Sequence, residues 1–317
     1  MDPDANHPRW KTLLAFAIIY FVWGSTFLAI RIGVRELPPL LFAAMRFFAA
    51  GIVLFVWVLT QGERLPGRRL WGSIFLLAFL IFVIDYGCLF WAEQRVPSGI
   101  AAVMMATIPL FTALAEILIL RTQRLTVRLV AALLIGLCGV AVLVIRSFNI
   151  GGQPISPIGA LALIAGSLSW SFASILTRKL PLPESKIMSS GSQMLAGGIL
   201  LTVAAAAFGE FRGFNPLKVS AGAWFSLLYL IVAGSIIGFT AYLWLLHHES
   251  PTKVGTYAYV NPVVAVIIGY LIGGEALGLR TILGTLFVLI SVVVITTTRS
   301  KKPFPATEAK VQGEDAP

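Results

Sequence analysis

One apolar stretch, from Ser250 to Gly273, constrains this chain more than any other part of the sequence. It reads SPTKVGTYAYVNPVVAVIIGYLIG and is long enough to cross a bilayer, because about 20 apolar residues span the ~30 Å hydrocarbon core. Its middle holds Tyr257, Asn261 and Pro262, and Pro262 has no backbone N–H to close a helical turn. Backbone carbonyls that lose their helical hydrogen bond at membrane depth must find hydrogen-bond partners in the protein or in a water-filled cavity. The stretch therefore predicts a broken helix that places Tyr257 and Asn261 in a substrate site, as in many transporters.

The composition indicates a membrane protein. Hydrophobic residues make up 58% of the chain and charged residues 12%, whereas soluble domains carry roughly 25% charged residues. The net charge of +10 would suggest nucleic acid in a soluble protein, but here Lys and Arg lie at the ends of apolar runs, where they set topology. We therefore predict an integral membrane protein in the lipid bilayer with no nucleic-acid partner. Cys88 and Cys138 lie inside apolar runs, and we predict packing roles for them, with no metal site and no cofactor.

Ten apolar runs follow one another, so the predicted fold class is an all-α integral membrane protein with ten transmembrane helices. Lys and Arg are more frequent in the loops on the side of the two termini. By the positive-inside rule, this predicts a multi-pass protein of the cell (inner) membrane with both termini in the cytoplasm. The tail 299–317 is rich in Lys, Pro, Glu and Ala and is predicted to be disordered. The runs cover approximately 12–34, 38–60, 70–91, 97–120, 126–145, 156–177, 186–208, 219–246, 251–273 and 279–298.

The two halves of the chain repeat each other. A shift of 153 residues places Pro109 on Pro262, and both prolines lie mid-run. Five runs in each half is an odd number, so the second half should be inserted upside-down relative to the first. We predict two inverted five-helix repeats, 12–145 and 156–298, around one shared site. We also predict helix breaks at both prolines, and a packing kink at each is the alternative.

Two charged residues, Arg46 and Asp85, lie inside apolar runs. A lone charge at a helix centre costs about 2.5–3.5 kcal/mol even on the lenient insertion scale. At 1.5 Å per residue both lie about 10–12 Å from the same membrane surface, so they could meet. Two interpretations remain open: a structural ion pair between the second and third helices, or a site of gating or proton coupling. Gln193 and Gly238, which occupy the equivalent positions in the second half, carry no charge.

Two tryptophans, Trp23 and Trp170, coincide under a shift of 147 residues and lie near mid-helix. An interfacial belt of aromatic residues does not explain Trp at this depth, whereas it does explain Trp near helix ends. Trp23 and Trp170 could therefore stack on an apolar or aromatic ligand.

Four glutamates lie near the ends of apolar runs, where we expect water to reach them as solvated or capping residues and not as proton carriers. They are Glu93, Glu116, Glu249 and Glu275.

Four segments carry a family resemblance: FVWGSTFLAIRIGVRELPPLLFAAMRF, RVPSGIAAVMMATIPLF, TYAYVNPVVAV and GGEAL. Over roughly residues 12–298 the chain is similar to the EamA family of the drug/metabolite transporter superfamily. The resemblance implies a central cavity lined by helices 1, 3, 4, 6, 8 and 9, and a monomer or a homodimer formed through helices 5 and 10. It matches the family's helix-2 arginine with Arg46. Substrate binding is implied for Trp23, Asp85, Tyr86, Met104, Trp170, Tyr242, Tyr257 and Asn261.

One departure from the family pattern concerns the approach to the fifth helix. Arg121, Thr122, Gln123 and Arg124 stand where an acidic residue is often found, so Glu275 should have no counterpart in the first half.

We interpret the chain as a secondary transporter that exports small organic metabolites by alternating access. Amino acids or amphiphilic drug-like compounds are the expected cargo, and proton coupling and facilitated diffusion both remain open. An integral membrane enzyme and a channel are the alternatives. The sequence holds no HExxH motif, no P-loop and no pair of catalytic carboxylates, so we do not expect an enzyme.

Overall fold

A computed structural model describes residues 9–115, 126–144, 155–177, 179–249, 254 and 256–298. Over these residues the chain is helical and contains no strand. Seven of the described helices are long and apolar enough to cross a membrane, and three shorter apolar helices accompany them. The helices are α1 Arg9–Gly33, α2 Pro39–Thr60, α3 Arg68–Ala92, α4 Ser98–Ala115, α5 Val127–Val144, α6 Pro157–Thr177, α7 Lys186–Ala207, α8 221–248, α9 Tyr257–Leu271 and α10 Leu279–Thr298.

The helical membrane class predicted from the apolar runs is confirmed. The number of membrane crossings and the inverted repeats stay predictions. Glu116, the segment 121–124 and the tail 299–317 lie outside the described residues.

Two helices of equal length, α2 and α7, pack against each other and end in the same way. Each has 22 residues. Each is followed by a glycine with positive φ, Gly62 at 84° and Gly209 at 73°, a conformation that favours glycine. Pro39 at the first turn of α2 needs no hydrogen-bond donor there, and the Ser185 hydroxyl caps α7 by accepting a hydrogen bond from Met188 N at 3.2 Å.

The crossing of α2 and α7 depends on two glycines. A Cβ atom on Gly198 would lie 2.5 Å from the backbone nitrogen of Phe48. Gly51 likewise faces the backbone of Leu195. Small residues allow helix backbones to approach closely in a membrane, so these glycines determine how near the two helices lie.

A second close pair consists of α5 and α10. A Cβ on Gly139 would lie 3.0 Å from the carbonyl oxygen of Gly284, and Ser291 donates a hydrogen bond to the Ala132 carbonyl at 2.7 Å. The other principal contacts join α1 to α8, α3 to α6 and α4 to α9.

The prolines of α4 and α9 affect their helices differently. In α4 the helix is interrupted at 106–107, two residues before Pro109. In α9 the helix continues through Pro262, so the predicted break at that proline is not observed. Pro262 is the sixth residue of α9, and the absent N–H removes one intrahelical hydrogen bond, to the Ala258 carbonyl, without unwinding the helix.

Three helices contain wide π-helical segments, which apolar patterning alone does not reveal. They are Ile18–Val22 in α1, Phe79–Tyr86 in α3 and Leu230–Ile237 in α8. π-Helical turns are rare and are found frequently at functional sites.

At one end of the bundle, glutamates accept hydrogen bonds from backbone N–H groups at helix starts in the opposite half of the chain. A carboxylate is stabilised there by the positive end of the helix dipole. We call this end the glutamate face, after Glu36, Glu210 and Glu275. The contacts are Glu36 with Ser220 (2.6 Å), Glu210 with Leu40 (3.3 Å) and Leu41 (2.8 Å), and Glu275 with Ser98 (2.6 Å) and Gly99 (3.1 Å).

The expectation that water reaches Glu93 and Glu275 is wrong, because their exposed fractions are 0% and 8%. Glu275 is a capping residue, which was one of the two roles expected for it. Glu93 is neither capping nor solvated. Its loop is held in the protein by Arg31, whose Nη1 donates to the carbonyls of Glu93 (2.5 Å) and Val96 (2.6 Å).

Candidate functional site

A cavity of about 280 Å³ lies between α1–α4 and α6–α9. Helices α5 and α10 contribute no lining residue. Its lining reaches Tyr257, the first residue of α9, and Ser190, near the start of α7. The residues singled out from the sequence that line it are Trp23, Arg46, Asp85, Tyr86, Pro109, Trp170, Tyr242, Tyr257, Asn261 and Pro262.

One residue implied by the family resemblance, Met104, does not line the cavity. It is 1% exposed and packs in the hydrophobic core. Its neighbour Met105 lines the cavity instead. Side chains of adjacent helical residues point about 100° apart, so neighbouring positions on α4 can face the core and the cavity respectively.

Arg46 is buried in the cavity wall with its charge only partly satisfied. Its Nε donates to the Ser235 hydroxyl at 3.0 Å. Its Cζ lies 4.7 Å from the ring centre of Phe47 and 5.4 Å from that of Tyr86, within the range of cation–π attraction. Nη1 has no hydrogen-bond partner in the protein. A buried guanidinium nitrogen without an acceptor is costly, which makes it a ready donor to an anionic group in the cavity.

Asp85 lies on α3 at the end of a π-helical segment and is 1% exposed. Its Oδ1 has no hydrogen-bond partner in the protein. The neighbouring helix α6 makes room with Gly166, where a Cβ would lie 3.1 Å from Oδ1. Asp85 and Arg46 do not form an ion pair with each other, so the structural-pair interpretation is not realised in this structure.

Three aromatic rings form the wall between α1, α8 and α9. The Trp23 ring lies 5.3 Å from that of Tyr242 and 5.2 Å from that of Tyr257, the latter edge to face. The two tyrosine rings lie 5.9 Å apart. Such pairs contribute about 0.5–1.5 kcal/mol each beyond the area they bury, so they hold this wall in place.

A second aromatic group lies at the wall between α3 and α6. The rings of Tyr86 and Trp170 meet edge to face with centres 6.2 Å apart. Phe47 and Phe82 pack on the other side of Tyr86, with ring centres at 4.6 and 5.9 Å from it. Both tryptophans predicted to stack on a ligand therefore stand in the cavity, each against a tyrosine of another helix.

Each π-helical segment has a backbone carbonyl that accepts a hydrogen bond from a side chain of another helix. Trp23 Nε1 donates to the Gly234 carbonyl in α8 at 3.0 Å. Ser169 donates to the Leu80 carbonyl in α3 at 2.7 Å. These side chains supply hydrogen-bond donors to carbonyls of the widened helices at membrane depth, where lipid supplies none.

The third such donor is Asn261. With its amide oriented to satisfy both ends, its nitrogen donates to the carbonyls of Ile19 at 3.2 Å and Tyr20 at 3.1 Å in the π-helical segment of α1. Asn261 therefore lines the cavity and also connects α9 to α1. The adjacent contact between the Tyr20 and Thr256 hydroxyls, at 2.5 Å, joins the same two helices.

Several cavity residues were not singled out from the sequence. Gln193 could have been found, since it occupies the repeat position of Arg46. Ser235 and Phe239 gave no signal, because neither residue type is unusual in an apolar run. Within the described residues, no group of three His, Cys, Asp or Glu side chains is placed to hold a metal ion.

Comparisons with known proteins agree on the kind of protein. The model described as "EamA-like transporter family" matches residues 10–145 and 157–297. The "Uncharacterized inner membrane transporter YedA" of Escherichia coli (strain K12) is 38% identical over 305 residues, 94% of this chain and 95% of that protein. Protein PecM of Dickeya dadantii (strain 3937) is 26% identical over 276 residues, 86% of this chain and 88% of PecM. A solved crystal structure of a protein has a TM-score of 0.60 at 22% identity, covers 92% of this chain and 98% of that chain, and is alike in fold.

Proposed function

Because the chain belongs to the EamA-like transporter family, within the drug/metabolite transporter superfamily, we propose that it exports small organic metabolites by alternating access. Membrane transport itself follows from the family. The observation that carries the finer proposal is the central cavity, where Arg46 Nη1 and Asp85 Oδ1 have no protein partner and aromatic rings form the surrounding walls. A ligand that supplies the absent partners offsets the desolvation of both groups.

The cargo proposed is an amino acid or an amphiphilic drug-like compound. A zwitterion places its carboxylate at Arg46 and its ammonium at Asp85, with its apolar part against Trp23 and Trp170. An amphiphilic amine uses Asp85 and the rings alone. Charge-assisted hydrogen bonds are roughly twice as strong as neutral ones, so both charged groups select among ligands.

The remaining substrate contacts proposed are those of Tyr86, Tyr242, Tyr257 and Asn261. For Asn261 the contact is secondary, since its amide already serves the α1 carbonyls. Arg46 and Asp85 are also the proposed site of gating or proton coupling, because protonation of Asp85 abolishes its attraction for a cationic ligand.

The proposed architecture is ten transmembrane helices in two inverted repeats, 12–145 and 156–298, as a monomer or homodimer. Two successive matches to one family model support the repeat. The equal lengths of α2 and α7 also support it. So does the packing of α1 on α8, because the equivalent helices of the other repeat, α6 and α3, pack on each other as well. The proposed location is the cell inner membrane with both termini in the cytoplasm, which makes the glutamate face the outer one.

A flux screen in proteoliposomes tests this function. Purified protein is reconstituted with a panel of amino acids and amphiphilic amines, with and without a pH gradient. We expect saturable flux of at least one compound. In Arg46→Gln, which copies the residue at position 193, we expect roughly tenfold or greater loss for carboxylate-bearing compounds, since a charged hydrogen bond contributes about 1.5–3 kcal/mol. Compounds without a carboxylate should be affected little.

Flux that rises linearly with concentration would favour a channel. The absence of protein-dependent flux for every compound would contradict the proposed cargo. Glu63→Gln, at an exposed loop position distant from the cavity, serves as the control variant.

A further inference from the structure

A charge cluster of the partly buried Arg31 and the buried Glu93 and Glu275 lies at the glutamate face and has no part in the cavity chemistry described above. Arg31 Nε lies 3.5 Å from Glu275 Oε1. Arg31 also holds the loop after α3 through the Glu93 and Val96 carbonyls. One guanidinium thus joins α1, the loop between α3 and α4, and the loop between α9 and α10.

The carboxylate of Glu93 is the unusual member of the cluster. It is fully buried, and neither of its oxygens has a hydrogen-bond partner in the protein. The charged groups that face it are Arg31 from α1, Glu275 from the loop after α9 and, at longer range, Arg46 from α2. Helix α6, which also packs on this end of α3, carries no charged residue. Burial raises the pKa of Glu93 well above its usual range, and Arg31 opposes that rise while Glu275 adds to it.

The cluster lies next to residues that line the cavity at this end. Arg31 directly follows Ile30, which lines the cavity. Glu93 lies one helical turn beyond the lining residue Leu89, and Ser98, which Glu275 caps, lies one turn before the lining residue Ala102. A path that opens from the cavity to the glutamate face between α1, α3 and α4 would separate these groups.

We propose that Glu93 is a proton-binding site that makes the glutamate face a pH-sensitive gate, protonated while the face is closed and deprotonated when water enters. This inference rests on the proposed alternating access. With the face closed, one arginine side chain is the nearby cation for two carboxylates, and ionising both leaves an uncompensated negative charge in a buried place. A proton on Glu93 removes that charge. When the face opens, water solvates the carboxylate and the proton leaves to the solvent.

The sign of the pH dependence follows from this. The carboxylate has a higher pKa in the closed state than in the hydrated open state. Low pH therefore stabilises the closed face, and this stabilisation is lost as the pH rises through the closed-state pKa.

Distances between two spin labels across the face test the proposal. Labels are attached to Arg35→Cys and Leu217→Cys, both exposed and on opposite halves, with Cys88 and Cys138 replaced by Ser. In detergent or liposomes without substrate, we expect the short-distance population to dominate at pH 5.5–6 and to fall at least twofold by about pH 9. The isosteric Glu93→Gln should keep the short distance across the whole range.

Two further variants complete the test. Glu63→Gln should titrate like the parent. Glu275→Gln removes the second carboxylate, which adds to the rise of the Glu93 pKa, so the fall of the short-distance population should move to lower pH. A Glu93→Gln protein that titrates like the parent, or a parent whose distances ignore pH, would overturn the gate. Because no substrate is present, either result is separate from failure of the flux screen, which bears on the proposed function alone.

Discussion

The two cavity walls that contain a tryptophan differ in which of the two facing helices carries the large or charged side chain and which carries a glycine. Where α3 carries Asp85, the facing helix α6 supplies Gly166. At Gly238, which corresponds to Asp85 under the sequence shift of 153 residues, the facing helix α1 supplies Trp23, and a Cβ on Gly238 would lie 2.5 Å from Trp23 Nε1. One wall thus presents a carboxylate and the other is filled by an indole.

Within the proposed inverted repeat, this difference means that equivalent helices enclose an asymmetric site. The charged groups of the cavity, Arg46 and Asp85, both belong to the first half, and their counterparts Gln193 and Gly238 are neutral. A ligand with separated charges therefore has one preferred orientation. The wall between α1, α8 and α9 contributes shape and apolar contact, and the wall between α3 and α6 contributes discrimination by charge.

The largest effect is expected from disturbing the filled wall with Gly238→Val. The new side chain must displace the Trp23 indole, which breaks both its hydrogen bond to the Gly234 carbonyl and its contacts with two tyrosine rings. The displaced indole no longer presents its face to the ligand, and losing an apolar contact of about 3 kcal/mol should lower the affinity for the transported compound roughly 100-fold. The measurement is calorimetric binding to the purified protein.

A matched control for Gly238→Val exists in the same helix. Gly222 is exposed near the start of α8, and the nearest atom to a Cβ there is the Ser220 hydroxyl at 3.6 Å. Gly222→Val should therefore bind normally. Equal losses in the two variants would mean that β-branching in α8, and not the indole, is responsible.

The charged wall is tested by Asp85→Asn, with a somewhat smaller effect. The change keeps the shape and removes the charge, so cationic amines should lose about 10- to 100-fold in affinity, as expected for a charged hydrogen bond of about 1.5–3 kcal/mol. Ligands without an amine should bind as before. Transport measured in parallel should lose whatever pH dependence Asp85 supplies, and unaltered amine binding would exclude this carboxylate from the site.

Much of this arrangement could be predicted from sequence, because the membrane makes certain residues costly. Arg46, Asp85 and the mid-helix Trp23 and Trp170 are conspicuous in apolar runs, and all four line the cavity. The π-helical segments were invisible, since a widened turn and a regular one use the same apolar residues.

The other predictions that were wrong concern residues whose surroundings depend on tertiary structure. Glu93 follows the end of an apolar run and so resembles a solvated residue, but Arg31 draws its loop into the protein through backbone carbonyls, which leave no trace in the pattern. Met104 was assigned to the cavity by resemblance, and the one-residue rotation that selects Met105 depends on how α4 packs. Pro262 was expected to break α9, but its position early in the helix removes only one hydrogen bond.

The smallest effect separates the two tryptophans themselves. Trp23→Phe retains an aromatic ring but loses the donor to the Gly234 carbonyl in the π-helical segment of α8. A net loss of about 1 kcal/mol corresponds to a fall in Tm of roughly 1.5–2 °C in a chain of this size. The Trp170 ring meets Tyr86 edge to face, a contact that a phenyl ring keeps in part, so Trp170→Phe should lower Tm by less. Thermal unfolding in one detergent compares the two directly. A larger fall for Trp170→Phe would mean that the indole of α6, and not that of α1, supports the neighbouring helix.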